Sequence, residues 1–250
     1  MSPGESSIMA LGPRIDEVPI ECAADPVRVS FVLPCLNESR TIAMCIAEAT
    51  ETITRHGWIG EVVVADNGST DGSQDLAARA GAVVVHVKRR GYGAAIQGGV
   101  DAARGTYVVI GDADGSYDFT ESAGLVERLR AGADLAIGSR FRGHIQPGAM
   151  PPLHRHLGNP ILSRVGRMLF GIDVSDFHCG LRAARREVLR RLPLMCSGME
   201  YATEMIVRAR QHGCRLDECP VTLRPDGRGR RSHLRPWRDG WRHLRLMVLL

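Results

Sequence analysis

Residues 106–119 read TYVVIGDADGSYDF. A short run of β-branched and aromatic residues makes a strand, and it stops abruptly on Asp112 and Asp114, with Asp118 following. A polar turn that closes a strand is the plain reading. A seat for a divalent cation is the sharper one, because hard oxygen ligands with open positions suit Mg²⁺ or Mn²⁺. The same form recurs on both sides. VRVSFVLP (27–34) runs toward Asn37 and Glu38, EVVVAD (61–66) into Asp66 and Asn67, AVVVHV (82–87) into Lys88, and DLAIGSR (134–140) ends on Ser139 and Arg140. Between them lie TIAMCIAEATETITRH (41–56), GSQDLAARA (72–80), GAAIQGGVDAARG (93–105) and ESAGLVERLRAG (121–132), which read as helices. The first carries Ile42, Ile46, Ala49 and Ile53 on one helical face. Strands that are mostly apolar throughout, alternating with helices, predict an α/β fold: a mostly parallel sheet with helices on both faces. Ligands of such sheets bind at the carboxyl ends of the strands, where every one of these polar motifs falls.

Bulk properties exclude several classes. The chain of 250 residues is 44% hydrophobic and 24% charged, as in an ordinary globular protein. A formal net charge of +4 is too small to argue for nucleic acid as a partner. Lys88 is the sole lysine, so the remaining basic side chains are Arg. Seven Cys without a CxxC pair, and no signal-peptide pattern, point to a reducing, cytoplasmic compartment. LPCLNES follows the first strand where a dinucleotide site needs GxGxxG, and neither GxxxxGK[ST] nor GxSxG occurs. His154 and His156, two apart in a Pro-rich loop, read as surface residues rather than zinc ligands. Residues 1–26 carry Pro, Gly and Ser without periodicity and read as a loosely ordered arm before a domain over 27–235 and a tail over 236–250.

LPCLNE, VVADNGSTDGS, KRRGYGAAIQGG and GDADGSYDF, in that order, resemble the family 2 glycosyltransferases of GT-A fold. More narrowly the chain is similar to the polyprenyl-phosphate group, the dolichyl-phosphate mannose and glucose synthases. GSRFRG, DFHCGLRAARREVL, GMEYATEM and ECPVTL match the same group, so the resemblance covers about 27–245. It implies a Rossmann-like GT-A domain with Pro34, Leu36 and Glu38 lining the nucleotide end of the cleft and Asp66 accepting from the base. Asn67 stands where the family has a second Asp. Lys88 and Arg89, with Gly91 and Gly93, would let a cation and the backbone approach the nucleotide. Asp112 would sit near the ribose or the metal and Asp114 would bind Mg²⁺ or Mn²⁺. Ser116 stands where relatives often have Gln. Arg140, seconded by Arg155, would contact phosphate, and Asp176 would act on the acceptor side.

The resemblance further implies transfer of a hexose from a GDP- or UDP-linked donor to a polyprenyl phosphate, with inversion. A lipid monophosphate is already an anion, so no strong general base is needed. The alternatives are a family 2 enzyme with a soluble acceptor and a catalytically silent nucleotide-sugar-binding subunit. Plainer readings stand beside the motifs: Asp66–Ser69 as a turn and helix cap, Asp176 as a cap, and Glu200, Glu204 and Arg208 as a surface ion trio.

Residues 224–245 set eight Arg and two His against Asp226 and Asp239. A helix beginning at Pro236 would place Trp237, Trp241, Leu244 and Val248 on one face and Arg238, Arg242 and Arg245 on another. That is an interfacial pattern, and it predicts a peripheral protein on the inner face of the cytoplasmic membrane. The plainer reading is a helix docked on its own domain, with part of the Arg run over the donor phosphates. The closing LMVLL falls far short of the ~20 apolar residues of a spanning helix.

Overall fold

The computed structural model describes residues 26–229 and 236–250. All but the last residue of the arm expected over 1–26, and the Arg-rich stretch 230–235, lie outside the described residues. The first half of the chain alternates as expected: β1 (Arg28–Cys35), α1 (Ile42–Arg55), β2 (Ile59–Asp66), α2 (Ser73–Arg79), β3 (Val83–His86), α3 (Tyr92–Ala102) and β4 (Tyr107–Ile110). The second half continues with α4 (Ser122–Arg130), β5 (Leu135–Ile145), α5 (Asn159–Phe170), β6 (Arg182–Arg185), α6 (Arg186–Arg191), α7 (Tyr201–Gln211), β7 (Leu216–Leu223) and α8 (Pro236–Leu249).

The described strands form one seven-stranded sheet in the order β3-β2-β1-β4-β6-β5-β7. Every pairing is parallel except those of β6, which runs antiparallel to both β4 and β5. Val32 of β1 stands in register with Val63 of β2 on one side and Ile110 of β4 on the other. Strand order reverses at β1 and β4, and in open α/β sheets the crevice outside such a reversal is where ligands enter.

β1 is buried on both faces, as its unbroken apolar run requires. Phe31 meets Phe119 edge to face at 5.9 Å, whereas its neighbour Val32 points at Gly99 of α3. Ile42, Cys45, Ile46, Ala49 and Thr52 form the buried stripe of α1. Two strands have no counterpart among the strands read from the sequence. β6 is RAAR, with buried arginines at both ends. Arg182 donates to the carbonyl oxygens of Phe177, Cys179 and Ala202, and Arg185 to those of Leu129 and Ala133, with the Asp134 carboxylate 3.8 Å from its Nε. β7 carries ECPVTL, read as a motif without an assigned element.

At the amino end of the sheet, opposite the crevice, a polar latch closes the chain leading into β4. Ser30 donates to Glu61 at 2.8 Å and accepts the Gly105 N–H at 2.8 Å, and Glu61 also takes the Arg104 backbone N–H at 2.7 Å. A Cβ on Gly105 would stand 2.5 Å from the Ser30 nitrogen, which is main chain and cannot rotate aside. Gly105→Ala should therefore lower stability by about 1–3 kcal/mol, the usual cost of overpacking, read as a lower urea midpoint, while leaving ligand affinity at the far end of the sheet unchanged.

Candidate active site

β4 delivers its carboxylates to the crevice. Asp112 lies against Gly180, where a Cβ would come within 2.2 Å of its Oδ2, and the Tyr92 hydroxyl at the head of α3 donates to it. Burial first, and the Asp114 charge second, push Asp112 up to about 6; the Tyr92 bond and the Arg228 and Arg140 charges act against them. Asp114 accepts the Ser116 N–H at 2.9 Å through one oxygen and the Arg228 guanidinium at 3.0 Å through the other. Thr41, just before α1, donates its hydroxyl to the Ala113 carbonyl at 2.7 Å, fixing the residue between the two carboxylates.

Glu38 comes from the end of β1, buried, with the Arg228 guanidinium 3.6 Å away. Pro34 and Leu36 lie half-buried at the same strand end. Among the described residues no group of three or more His, Cys, Asp or Glu side chains forms a cluster that could hold a metal. The carboxylates that could hold a cation at the tip of β4 are the pair Asp112 and Asp114, both hard oxygen donors. Such a set suits a Mg²⁺ or Mn²⁺ ion whose remaining positions are completed by substrate oxygens, and the guanidinium on Asp114 already stands in as a cation there.

Arg140 is held by a fork-to-fork pair. Its Nε and Nη2 donate to the two oxygens of Asp176 at 2.7 and 2.8 Å, and its backbone N–H adds a third bond at 3.2 Å. Asp176 is 0% exposed. The carboxylate expected on the acceptor side is here engaged by Arg140 and touches no open surface. The cap reading fares no better, since Asp176 heads no helix. Glu218 of β7, which sequence reasoning missed, takes the N–H groups of Ser175 and Asp176 at 2.8 and 3.0 Å and pairs with Arg142 at 3.0 Å. Tyr117 accepts the Gly180 N–H at 2.9 Å, tying the loop before β6 to the loop after β4.

At the tip of β2, Asp66 is buried and accepts from the Gly68 and Ser69 N–H groups and from Gln74. Burial alone would raise its pKa, but these bonds outweigh it and hold the carboxyl below the usual range. The turn reading of Asp66–Ser69 is thus present, while the residue capping α2 is Gly72, without a side-chain bond. Asn67 donates to the carbonyls of Val87 and Arg89 and accepts the Gly91 N–H at 2.7 Å. A carboxylate could not donate to two carbonyls, which explains an Asn here.

Lys88 and Arg89 are exposed on the loop that Asn67 clamps, and Arg89 reaches the Met195 carbonyl at 2.9 Å. Gly91 and Gly93 have a packing reason beside the expected one. A Cβ at Gly93 would lie 2.5 Å from the Cys196 carbonyl, and one at Gly91 2.1 Å from that of Ser197. Both let residues 196–198 pack on the start of α3.

Arg155 is exposed on the turn His154–Gly158 before α5, away from the contacts that join the residues above. The surface ion trio does not form. Glu204 is buried and receives the Met195 and Cys196 N–H groups at 3.0 and 2.8 Å; Glu200 pairs with Arg242 of α8 at 2.7 Å; Arg208 turns to Gln211. α8 packs against α5 and α7, with Thr203 and His243 joined at 2.7 Å and Met247 buried. Trp241 and Val248 remain 65% and 76% exposed. The side chain of Trp237 lies outside the described residues.

Comparison with known proteins gives a consistent result. The model of the family described as "Glycosyl transferase family 2" matches residues 30–192. The low-salt glycan biosynthesis hexosyltransferase Agl6 of Haloferax volcanii is 41% identical over 88% of this chain, which spans 53% of that relative, about half its length. The polyprenol monophosphomannose synthase of Mycolicibacterium smegmatis is 32% identical over 78% of this chain and 77% of its own. The crystal structure of glucosyl-3-phosphoglycerate synthase from Mycobacterium tuberculosis superposes with a TM-score of 0.70 over 89% of this chain and 79% of that one, at 24% identity. The last likeness shows the fold, GT-A; that protein has also been solved with Mn²⁺ and UDP.

The strain on Asp112 is measurable without any substrate. Its folded-state pKa, about 6, lies above its ordinary value of 3.8. The folded state therefore binds that proton more tightly, and the associated stability, full below the ordinary value, is lost as pH rises through about 6. Asp112→Asn, which cannot ionise, should melt higher than wild type at pH 7.5, and the gain should vanish near pH 4. Equal melting temperatures at pH 7.5 would mean that the buried charge costs nothing.

Proposed function

The chain belongs to glycosyltransferase family 2, and from that premise we propose that it moves a hexose from a GDP- or UDP-linked donor to a polyprenyl phosphate at a membrane surface, with Mg²⁺ or Mn²⁺ and inversion at the anomeric carbon. The observation that carries the reading is the carboxylate pair at the tip of β4 with a positive group seated on it and a buried, pre-aimed Arg140 nearby. The names of the hexosyltransferase and polyprenol monophosphomannose synthase relatives support the same direction.

In this reading Asp114, with Asp112, holds the cation, which when bound neutralises charge developing on the departing diphosphate. Arg140 serves phosphate: Asp176 takes Nε and Nη2, which leaves Nη1 to reach a ligand oxygen. Asp176 is a positioning residue, because a fork locked at two nitrogens loses little freedom when the third binds. Glu38, Pro34 and Leu36 line the nucleotide end, Asp66 orders the loop beside the base, and Lys88 and Arg89 add positive charge at its rim. Arg155, on its exposed turn, is a second phosphate contact only if the acceptor reaches the segment before α5. The acceptor phosphate attacks as an anion, so the crevice needs positive charge and orientation rather than a strong base.

The membrane part rests on exposed apolar side chains that no neighbour covers. α5 exposes Ile161, Met168 and Leu169, the turn before it Leu153 and Leu157, and α8 exposes Trp241, Val248 and Leu249. Arg155, Arg164, Arg167, Arg238 and Arg245 are exposed on the same elements. Apolar side chains rimmed by Arg on packed amphipathic helices suit the headgroup boundary of an anionic membrane. Among the described residues no helix is long and apolar enough to cross it.

The donor and acceptor are tested together by offering UDP- and GDP-hexoses with a short polyprenyl phosphate and Mn²⁺; a glycolipid is the expected product. Asp114→Asn should keep the fold and lower turnover on the order of 10²–10³-fold, the range for one preorganised electrostatic contact. Undiminished turnover in that variant would remove the metal reading, and sugar appearing only on water-soluble acceptors would remove the lipid one.

Vesicle sedimentation checks the membrane surface. Replacing Arg238 and Arg245 with Gln should weaken binding to anionic vesicles by about 2 kcal/mol at low salt and little at high salt. Met168→Ser with Trp241→Ser should weaken it at both, since apolar insertion is not screened. A protein that never sediments with anionic vesicles would place these helices against something other than lipid.

A further inference from the structure

Arg228 is the cation of the crevice that faces three carboxylates, Asp114, Asp226 and Glu38, and the donor site as proposed above leaves it without a task. It lies between Gly227 and Gly229 in the strap that follows β7, and its side chain is only 10% exposed. Nη2 stands 3.0 Å from Asp114 Oδ2 and 3.3 Å from Asp226 Oδ2, and Nη1 stands 3.6 Å from Glu38 Oε1. Its Nε is buried and has no hydrogen-bond partner. A buried guanidinium with an unmade bond is costly, and the geometry of its carboxylate contacts is looser than the paired bonds between Arg140 and Asp176.

The strap around it is pinned by its main chain. The Arg224 N–H donates to the Ser116 carbonyl at 2.7 Å, the Gly227 N–H to the Asp114 carbonyl at 2.8 Å, and Arg40 reaches the Arg228 carbonyl at 3.2 Å. The side chain of Arg228 can therefore change partners while its backbone stays beside the carboxylates.

We infer that Arg228 is a built-in counter-ion that occupies the cation position on Asp114 and yields it only when a diphosphate supplies replacement acceptors. The inference rests on the donor site proposed above. A lone divalent ion arriving at Asp114 must displace the guanidinium and leave it buried beside a second positive charge. A cation that arrives with a diphosphate brings oxygens matched to the guanidinium fork, including one for the unpartnered Nε. Cation and diphosphate then strengthen each other's binding, and the coupling is reciprocal. The device keeps Asp114 paired between turnovers without committing it to free metal.

The test reads metal binding and needs no catalysis: Mn²⁺ is titrated into the protein and free Mn²⁺ is followed by its paramagnetic resonance signal, alone and with UDP or GDP. Arg228→Gln should bind Mn²⁺ alone ~10-fold or more tightly than wild type. Arg228→Lys, which retains the charge, should stay near wild type. UDP or GDP should tighten Mn²⁺ binding to wild type more than to Arg228→Gln. Equal or weaker Mn²⁺ binding by Arg228→Gln, or a Lys variant that behaves like the Gln one, would overturn the inference. Adding Asp114→Asn to Arg228→Gln should abolish the gain; a gain that survives means the ion never sat on Asp114, which removes the inference and the metal site with it. A gain that depends on Asp114, in a protein that forms no glycolipid, leaves Arg228 as the counter-ion and removes only the acceptor reading.

Discussion

Two carboxylates of like charge, Asp112 and Asp114, stand two residues apart at the tip of β4, and the crevice is organised around the burial of one beside the charge of the other. Left alone, the pair would protonate or push the loop apart. The chain answers with the Tyr92 hydroxyl on one carboxylate, the Arg228 guanidinium on the other and the Arg140 charge behind both. Asp112 nonetheless remains displaced toward protonation, by burial first and by the Asp114 charge second. A carboxylate kept uncomfortable in this way is a poor choice for stability and a sound one for attracting a cation. The sheet supplies the rigidity that the strain requires: β4 is bonded on both sides, and Thr41 anchors the loop from α1.

Behind that pair runs a second chain of charges, Arg140–Asp176 and Glu218–Arg142, linked through the N–H groups of Ser175 and Asp176. Buried ion pairs contribute little net stability, because removing both charges from water costs nearly what their attraction returns. Their value here is directional. Asp176 meets two nitrogens of one guanidinium and a backbone N–H as well, so Arg140 has a single orientation. Glu218 does the same for Asp176 from β7, which makes the last strand of the sheet part of the aiming of a residue on β5.

The nucleotide half was legible because its signals are local. Apolar runs that end in Asp or Asn announce parallel strands and the edge where ligands collect, and the helices between them carry ordinary periodicity. The second half hid its structure where charge is buried. RAAR does not look like a central strand, since only the folded chain shows carbonyls encircling Arg182 and Arg185. Glu204, one turn from Glu200, resembles a surface partner for Arg208; burial and two backbone N–H donors from the segment leading into α7 reverse that. Asn67 was visible as a departure, but its cause, two carbonyls facing its amide, lies some twenty residues away. Arg228 was one Arg in a run of eight, marked only by the glycines on either side.

The reversed strand β6 has an architectural effect of its own. Because it runs against β4 and β5, the loop that enters it, residues 176–180, emerges at the same edge of the sheet as the loops that leave its neighbours. A parallel strand in that slot would have brought its exit there and its entry to the far side. The backward strand also holds β4 and β5 two strand spacings apart, roughly 9–10 Å, with Gly180 and Tyr117 bracing the floor between. The molecule is thus a sheet with a seam, and in the function proposed above a single strand laid the wrong way round would set the width of the gap between the nucleotide side and the side that receives the sugar.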